Sequence, residues 1–346
     1  MADVVLDMND QRPIWARPDW FAEEVRAALP RDWSLAVLET PTEGTGDGTA
    51  RAHPAVLDAV RDARIYMGFG IAGEVLVEGP GIGWVHTGSA GVGSSLTPEL
   101  RQRASIFTNS AGIHGPAMAE AVLGMILHFT RGFDFAVRSQ VERAWNTDPF
   151  YAAEAPLVEI STLTVGIIGF GGIGREVSRR ARCLGARVLG LRRTAPTTPV
   201  TDDGTEVLHG DAGFDRLLLE SDVVVVTAPD TAETHNLVDG DAFARMKAGA
   251  ILINVARGRI VDEAALVAAL RSGRLRGAGL DVFAQEPLAA NSPLWTMDRV
   301  LITPHVSPVT RGFWRREADL VLHNLGCFLD GRVAEMRNRV NLDAGY

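Results

Sequence analysis

The chain has few cysteines, no surplus of positive charge and no long apolar run, and each absence excludes a class of function. Its only cysteines, Cys183 and Cys327, have no metal-ligand spacing and form no disulfide framework, so both are expected to be buried free thiols and no metal site is expected. Against 34 Lys and Arg stand 43 Asp and Glu, a net charge of −9, which argues against nucleic acid or a membrane surface as a partner. No apolar stretch approaches the ~20 residues of a membrane span, and the acidic opening at 1–7 lacks a signal-peptide pattern. A cytoplasmic location follows by elimination. Repeats and low-complexity segments are also lacking. What is present, 346 residues of ordinary globular composition, suffices for two domains, each with its own core.

The organising stretch is 162–192. Residues 163–168 are aliphatic and β-branched, which suits a strand buried on both faces. Gly169, Gly171 and Gly174 follow in G-x-G-x-x-G spacing, then a helical pattern over 175–184 and a second strand over 187–191. In that context the first glycine allows a tight turn, the second lets backbone approach a pyrophosphate, and the third lets helix and strand pack closely. The helix N-terminus, at Gly172, Ile173 and Gly174, then holds the anion with its amides and partial positive charge. The competing reading is a glycine-rich loop that binds nothing. An acid that accepts from the ribose hydroxyls is expected about 20 residues beyond the glycines. The position is instead Arg192, 18 residues past Gly174, followed by Arg193 and Thr194. A guanidinium cannot accept, but it can clamp a 2′-phosphate, so NADP(H) is the preferred cofactor and NAD(H) remains possible.

On either side the chain alternates helix and strand. Helices are predicted at 21–29 and 54–63, strands at 34–38, 65–67, 84–87 and 105–108, and a Gly/Thr loop at 41–50. The loop at 88–93, with three glycines after a strand, can present backbone N–H groups to an anion. The segment 116–129 is hydrophobic nearly all round and is expected to lie buried between domains or subunits. Within it Glu120 reads as a paired structural carboxylate and His128 as a packing histidine. Residues 131–160 read as an exposed arm. Beyond the glycine unit, strands at 222–228, 250–255, 277–282 and 300–303 end beside Ala228-Pro229, Arg257, Glu286 and His305, and Asp262 opens a helix.

Ligands of open α/β sheets bind outside the carboxyl ends of the strands, so Arg257, Glu286 and His305 are candidates for one crevice. Together they suit hydride chemistry. Arg257 would bind a carboxylate and polarise the adjacent carbonyl, His305 would exchange the proton of the alcohol or carbonyl oxygen, and Glu286 would orient the imidazole and favour its charged form. Taken singly, each has a plain alternative as a surface charge, a turn residue before Pro287 or a cap after Pro304.

Several runs extend the pattern: the 169–174 glycines, Ile253-Asn-Val-Ala-Arg-Gly258 with Val261-Asp-Glu-Ala-Ala-Leu266, Gly279-Leu-Asp-Val-Phe283 with Glu286-Pro287, and Thr303-Pro-His305. With them the sequence resembles the D-isomer-specific 2-hydroxyacid dehydrogenases over most of its length. Arg192-Arg193-Thr194 resembles the glyoxylate/hydroxypyruvate reductase branch. The resemblance implies two doubly wound parallel-sheet α/β domains. A Rossmann dinucleotide-binding domain at 111–305 would be inserted in a smaller flavodoxin-like substrate domain made of 1–110 and 306–346. It implies that Arg257, Glu286 and His305 are the catalytic trio, that Ala90 and Gly91 give amides to the substrate carboxylate, and that Asp281 lies near the nicotinamide carboxamide. Ala228, Pro229 and Val255 complete the expected cofactor contacts. It also implies a small 2-keto or 2-hydroxy acid as substrate and a homodimer built around 112–155. This chain departs from the family pattern at Gly93, often Asp, at Ser307-Pro308, often Gly-Gly, and at Arg192, usually an acid. A dinucleotide-sensing corepressor, or a formate or phosphonate dehydrogenase of the same fold, is the alternative function.

Overall fold

The structure, a computed structural model, describes residues 2–41, 51–103, 105–196, 198–201 and 203–342. It divides into two compact units, one of Met1–His114 with Val309–Tyr346 and the other of Gly115–Pro308. The expected loop at 41–50 lies, but for Pro41, outside the described residues.

The smaller unit holds five parallel strands: β1 (Val4–Asp7), β2 (Leu35–Val37), β3 (Ile65–Gly68), β4 (Trp84–Thr87) and β5 (Ile106–Asn109), in the order β2-β1-β3-β4-β5. This is the flavodoxin-like order. Successive residues of β1 point to opposite faces, so Val4 and Leu6 join one core and Val5 the other. The helices Asp19–Ala28 and Phe313–Leu329 cover the first face, with Phe21, Phe313, Trp314 and Val321 in the core. Shorter helices cover the second face, through Val56, Val75 and Leu100.

The larger unit holds seven parallel strands: β6 (Thr164–Ile168), β7 (Arg187–Arg192), β8 (Glu206–His209), β9 (Val223–Val226), β10 (Ala250–Asn254), β11 (Leu275–Leu280) and β12 (Val300–Ile302). Their order, β12-β11-β10-β9-β6-β7-β8, is a Rossmann order extended by one strand, with the switch point between β6 and β9. The four valines of β9 show how the sheet is buried on both sides. Val223 and Val225 face the Gly115–Thr130 and Gly172–Cys183 helices, while Val224 and Val226 face Leu217, Phe243 and Leu266 on the opposite side.

The buried residues of the apolar helix, Gly115–Thr130, from Met118 and Val122 to Met125 and Phe129, form one stripe on its own unit's sheet. The strand beneath supplies the room, since a Cβ at Gly277 would come within 2.6 Å of the Phe129 ring and one at Gly279 within 2.9 Å of the Met125 sulfur. Its outer face carries Glu120, 3.5 Å from Arg180, as expected of a paired acid. His128 packs edge-on against Phe129, and burial lowers its pKa. One expectation is corrected: Cys183 is exposed, while Cys327 is buried. The inward stripe of the Gly172–Cys183 helix is Gly174, Val177, Ser178 and Ala181, and two residues further on the helix has turned about 200° away. Among the described residues no helix is long and apolar enough to cross a membrane. No group of three or more His, Cys, Asp or Glu among them is placed to hold a metal.

A buried polar cluster fastens the C-terminal helix to the smaller sheet. Glu317, fully buried on that helix, accepts from His86 Nε2 on β4 at 2.7 Å and from Ser110 Oγ, beyond β5, at 2.7 Å. His86 Nδ1 lies 2.8 Å from Thr108 Oγ1, which accepts from Trp84 Nε1 at 2.9 Å. Removing one partner of such a pair leaves polar atoms buried and unmatched. Glu317→Ala is therefore expected to destabilise this unit by about 3–5 kcal/mol. The check is urea unfolding followed by tryptophan fluorescence, which reports mainly this unit because Trp15, Trp20, Trp33, Trp84 and Trp314 all lie in it. An unmoved transition would show that the cluster adds nothing.

Candidate active site

The glycine turn sits at the switch point. Gly169 follows β6 with a φ of +97°, and a side chain there would meet the Ala228 backbone at 2.4 Å, so only glycine allows the two strand ends to approach so closely. A Cβ at Gly174 would come within 2.6 Å of the Gly169 carbonyl, so helix and turn are in direct contact. Gly171 differs: a Cβ there would meet nothing within 4 Å. It precedes the Gly172–Cys183 helix and caps it with no side chain. An uncapped helix N-terminus facing open space beside a small residue fits a dinucleotide pyrophosphate. Gly172 is exposed and Ile173 half-buried beside it; Ala228 and Val255 are buried, and Pro229 is exposed.

Arg192 is the last residue of β7, half-buried, with its guanidinium 3.3 Å from Thr194 Oγ1. Arg193 and Thr194 are exposed, and Arg193 lies 3.8 Å from Glu233. No carboxylate occupies the end of this strand.

Arg257, Glu286 and His305 follow the carboxyl ends of β10, β11 and β12, which are neighbours in the sheet. The structure joins Glu286 to His305 directly: Glu286 Oε2 lies 2.8 Å from His305 Nδ1. Its other oxygen accepts from the Phe283 amide at 3.0 Å, so the carboxylate is held at both ends. Because a carboxylate only accepts, Nδ1 carries the hydrogen and Nε2 is left to act. Both side chains are over one-third exposed, at 37% and 36%. Arg257 is half-buried. Its loop is shaped by Asn254, whose amide donates to the Arg257 carbonyl and accepts from Ala256, each at 3.0 Å. The next residue, Gly258, is pressed so tightly on the chain after β11 that a Cβ would fall 1.8 Å from the Phe283 carbonyl carbon.

Asp281 is fully buried beneath the histidine. Its carboxylate accepts from Thr303 Oγ1 at 2.6 Å, Val306 N at 2.9 Å and Ser307 N at 3.0 Å, while its carbonyl accepts from His305 N at 2.8 Å. These bonds hold His305 at a φ of +55°, where a non-glycine residue rarely sits. Sequence reasoning missed Asn254 and this use of Asp281. The available signal was a polar side chain at, or just past, the end of a buried apolar strand.

In the smaller unit, Ala90 and Gly91 follow β4. The Ala90 carbonyl accepts from Asn109 Nδ2 at 2.8 Å. The amides of both residues donate to no acceptor among the described residues.

Comparison with known proteins places this geometry in a lineage. The model of the D-isomer specific 2-hydroxyacid dehydrogenase NAD-binding domain matches residues 123–307. A glyoxylate reductase of Thermofilum pendens is 34% identical over 275 residues, 76% of each chain. A D-3-phosphoglycerate dehydrogenase of Archaeoglobus fulgidus is 34% identical over 263 residues, 74% of this chain and 47% of its own length. Among solved structures, a D-isomer specific 2-hydroxyacid dehydrogenase of Xanthobacter autotrophicus Py2, in complex with NADPH and MES, superposes with a TM-score of 0.78 at 28% identity, covering 100% of this chain and 99% of the other. With two parallel-sheet domains and a matched Rossmann unit, the chain belongs to the D-isomer specific 2-hydroxyacid dehydrogenase family and is an NAD(P)-dependent oxidoreductase.

Proposed function

We propose that the protein reduces small 2-keto acids of the glyoxylate and hydroxypyruvate kind to D-2-hydroxy acids, with NADPH as preferred cofactor and His305 as proton donor. The observation that carries this reading is the 2.8 Å bond between Glu286 and His305 at adjacent strand ends, in the same unit as the Gly169 turn. When bound, the reduced nicotinamide supplies the hydride. Protonated His305 gives its Nε2 hydrogen to the substrate oxygen as that oxygen gains charge, and Glu286 steadies the imidazolium until transfer. Arg257 pairs with the substrate carboxylate, and its planar fork fixes the adjacent carbonyl. In the smaller unit, the Ala90 and Gly91 amides are proposed as donors to a carboxylate. Asp281 serves the site by holding the His305 turn. The kinship with a glyoxylate reductase supports a substrate at the small end of the class.

For the cofactor, the residues from Gly169 to Gly174 hold the pyrophosphate and Arg192, with Arg193 and Thr194, takes the 2′-phosphate. A homodimer built around 112–155 completes the reading. It is supported by apolar side chains left exposed there: Phe133, Val137 and Val141 along one helix face, then Trp145 and Tyr151.

Four measurements test this. NADPH is expected to exceed NADH in kcat/KM by about ten- to hundred-fold, the worth of a charge-assisted bidentate contact, and Arg192→Asp to reverse the order. Equal values in the parent protein would remove Arg192 from the 2′-phosphate. His305→Asn is expected to lower kcat by about 10²–10⁴ while cofactor binding, read by fluorescence titration, stays put. A variant retaining full turnover would end the assignment of His305. Arg257→Lys should raise KM and lower kcat together, because the charge stays and the fork is lost. Hydroxyacetone, which lacks the carboxylate, should be turned over far more slowly than hydroxypyruvate; similar rates would mean that Arg257 is no carboxylate clamp.

A further inference from the structure

Glu286 stands on an exposed segment between Phe283, buried in the larger unit's core, and Leu288, partly buried against that core. Ala284, Gln285, Glu286 and Pro287 are all exposed, so no buried side chain fixes their backbone. Hydrogen bonds and one close contact do the holding instead. Phe283 donates its amide to Glu286 Oε1 at 3.0 Å. The next amide, Ala284 N, donates to Glu263 Oε1 at 2.5 Å, across 21 residues of sequence. Two successive peptide groups of one turn are thus taken by two carboxylates, one of them Glu286 itself.

Glu263 is not needed as a helix cap. The helix Glu263–Arg271 is capped by Asp262, whose carboxylate accepts from Ala265 N at 3.0 Å. An acid in the first turn ordinarily faces water and interacts with the helix N-terminus alone. Glu263 is half-buried and reaches out of its own helix to the strand-end turn. Five residues earlier Gly258 presses on Phe283 and Ala284 from the Arg257 side. The chain from Arg257 to Glu263 therefore grips the turn twice, once by contact and once by a charge-assisted bond.

We propose that Glu263 is a positioning residue for proton transfer. By fixing the Phe283–Ala284 peptide it keeps Glu286 within 2.8 Å of His305 Nδ1 and in register with the Arg257 loop. The assignment rests on the reading of His305 and Glu286 as the proton-donating pair. Loss of Glu263 leaves every reacting group present but lets the turn rotate.

The test compares Glu263→Ala and Glu263→Gln, the second of which keeps an acceptor oxygen at the same reach. Glu263→Ala is expected to lower kcat about ten- to hundred-fold, as a small misplacement does. KM for the 2-keto acid and for NADPH should stay within about twofold, separating turnover from binding. The solvent deuterium isotope effect on kcat should rise as proton transfer becomes slower, which mere loss of stability would not cause. Glu263→Gln should restore most of the turnover. In a Glu286→Gln background, adding Glu263→Ala should cost nothing more, since the two act through one contact. Full turnover in Glu263→Ala, a loss that multiplies that of Glu286→Gln, or a fall in kcat that follows the folded fraction would each overturn the proposal. If His305→Asn and Glu286→Gln themselves keep full turnover, the proton-donor reading fails first; if they lose it and Glu263→Ala does not, Glu263 alone is misassigned.

Discussion

A carboxylate wholly out of water underlies the larger unit's site. Burying an ionised acid costs several kcal/mol unless hydrogen bonds replace its hydration. Asp281 meets that requirement with one hydroxyl and two backbone amides, all from residues 303–307. The demand runs in both directions. The acid needs the turn for its donors, and the turn needs the acid to keep His305 in the left-handed region. Once His305 is placed, its Nδ1 lies 2.8 Å from Glu286 Oε2.

This dependence explains why Ser307-Pro308 can replace the two glycines common in the family. Asp281 uses the amide of residue 307, not its side chain, and every residue but proline supplies that donor. Proline comes one position later, where no such bond is made. The adjoining contacts follow the same logic. Asn254, Gly258 and Glu263 each act on backbone in the loops after β10 and β11.

Much of the larger unit was legible from residues alone. The strand-turn-helix around Gly169 and the polar residues after 250–255, 277–282 and 300–303 stand out because buried parallel strands are continuous apolar runs. Strand ends shift by up to two residues against the structure, as at Val223–Val226 and Leu275–Leu280. Two strands escaped notice. β1 is a bare Val-Val-Leu between acids, and β8 is a half-exposed edge with Glu206 and His209 at its ends. Cys183 was misjudged because composition gives burial by residue type, while the helix phase decides it by angle. Least legible were pairs joined only in space: His86 and Glu317 lie 231 positions apart, and neither carries a local pattern that names its partner.

The His86–Glu317 bond has a consequence for synthesis on the ribosome. The last strand of the smaller unit's sheet ends at Asn109, yet the helix that covers it and buries Glu317 begins only at Phe313. Between them comes the whole of the larger unit, which has its own cores. During elongation the emerging sheet therefore waits with Val4, Leu6 and Trp84 lacking part of their cover and with His86 lacking its acid. The larger unit, a single continuous stretch, can finish folding first. The smaller sheet is thus completed only after the whole larger unit has been made, and until then it carries an open apolar face.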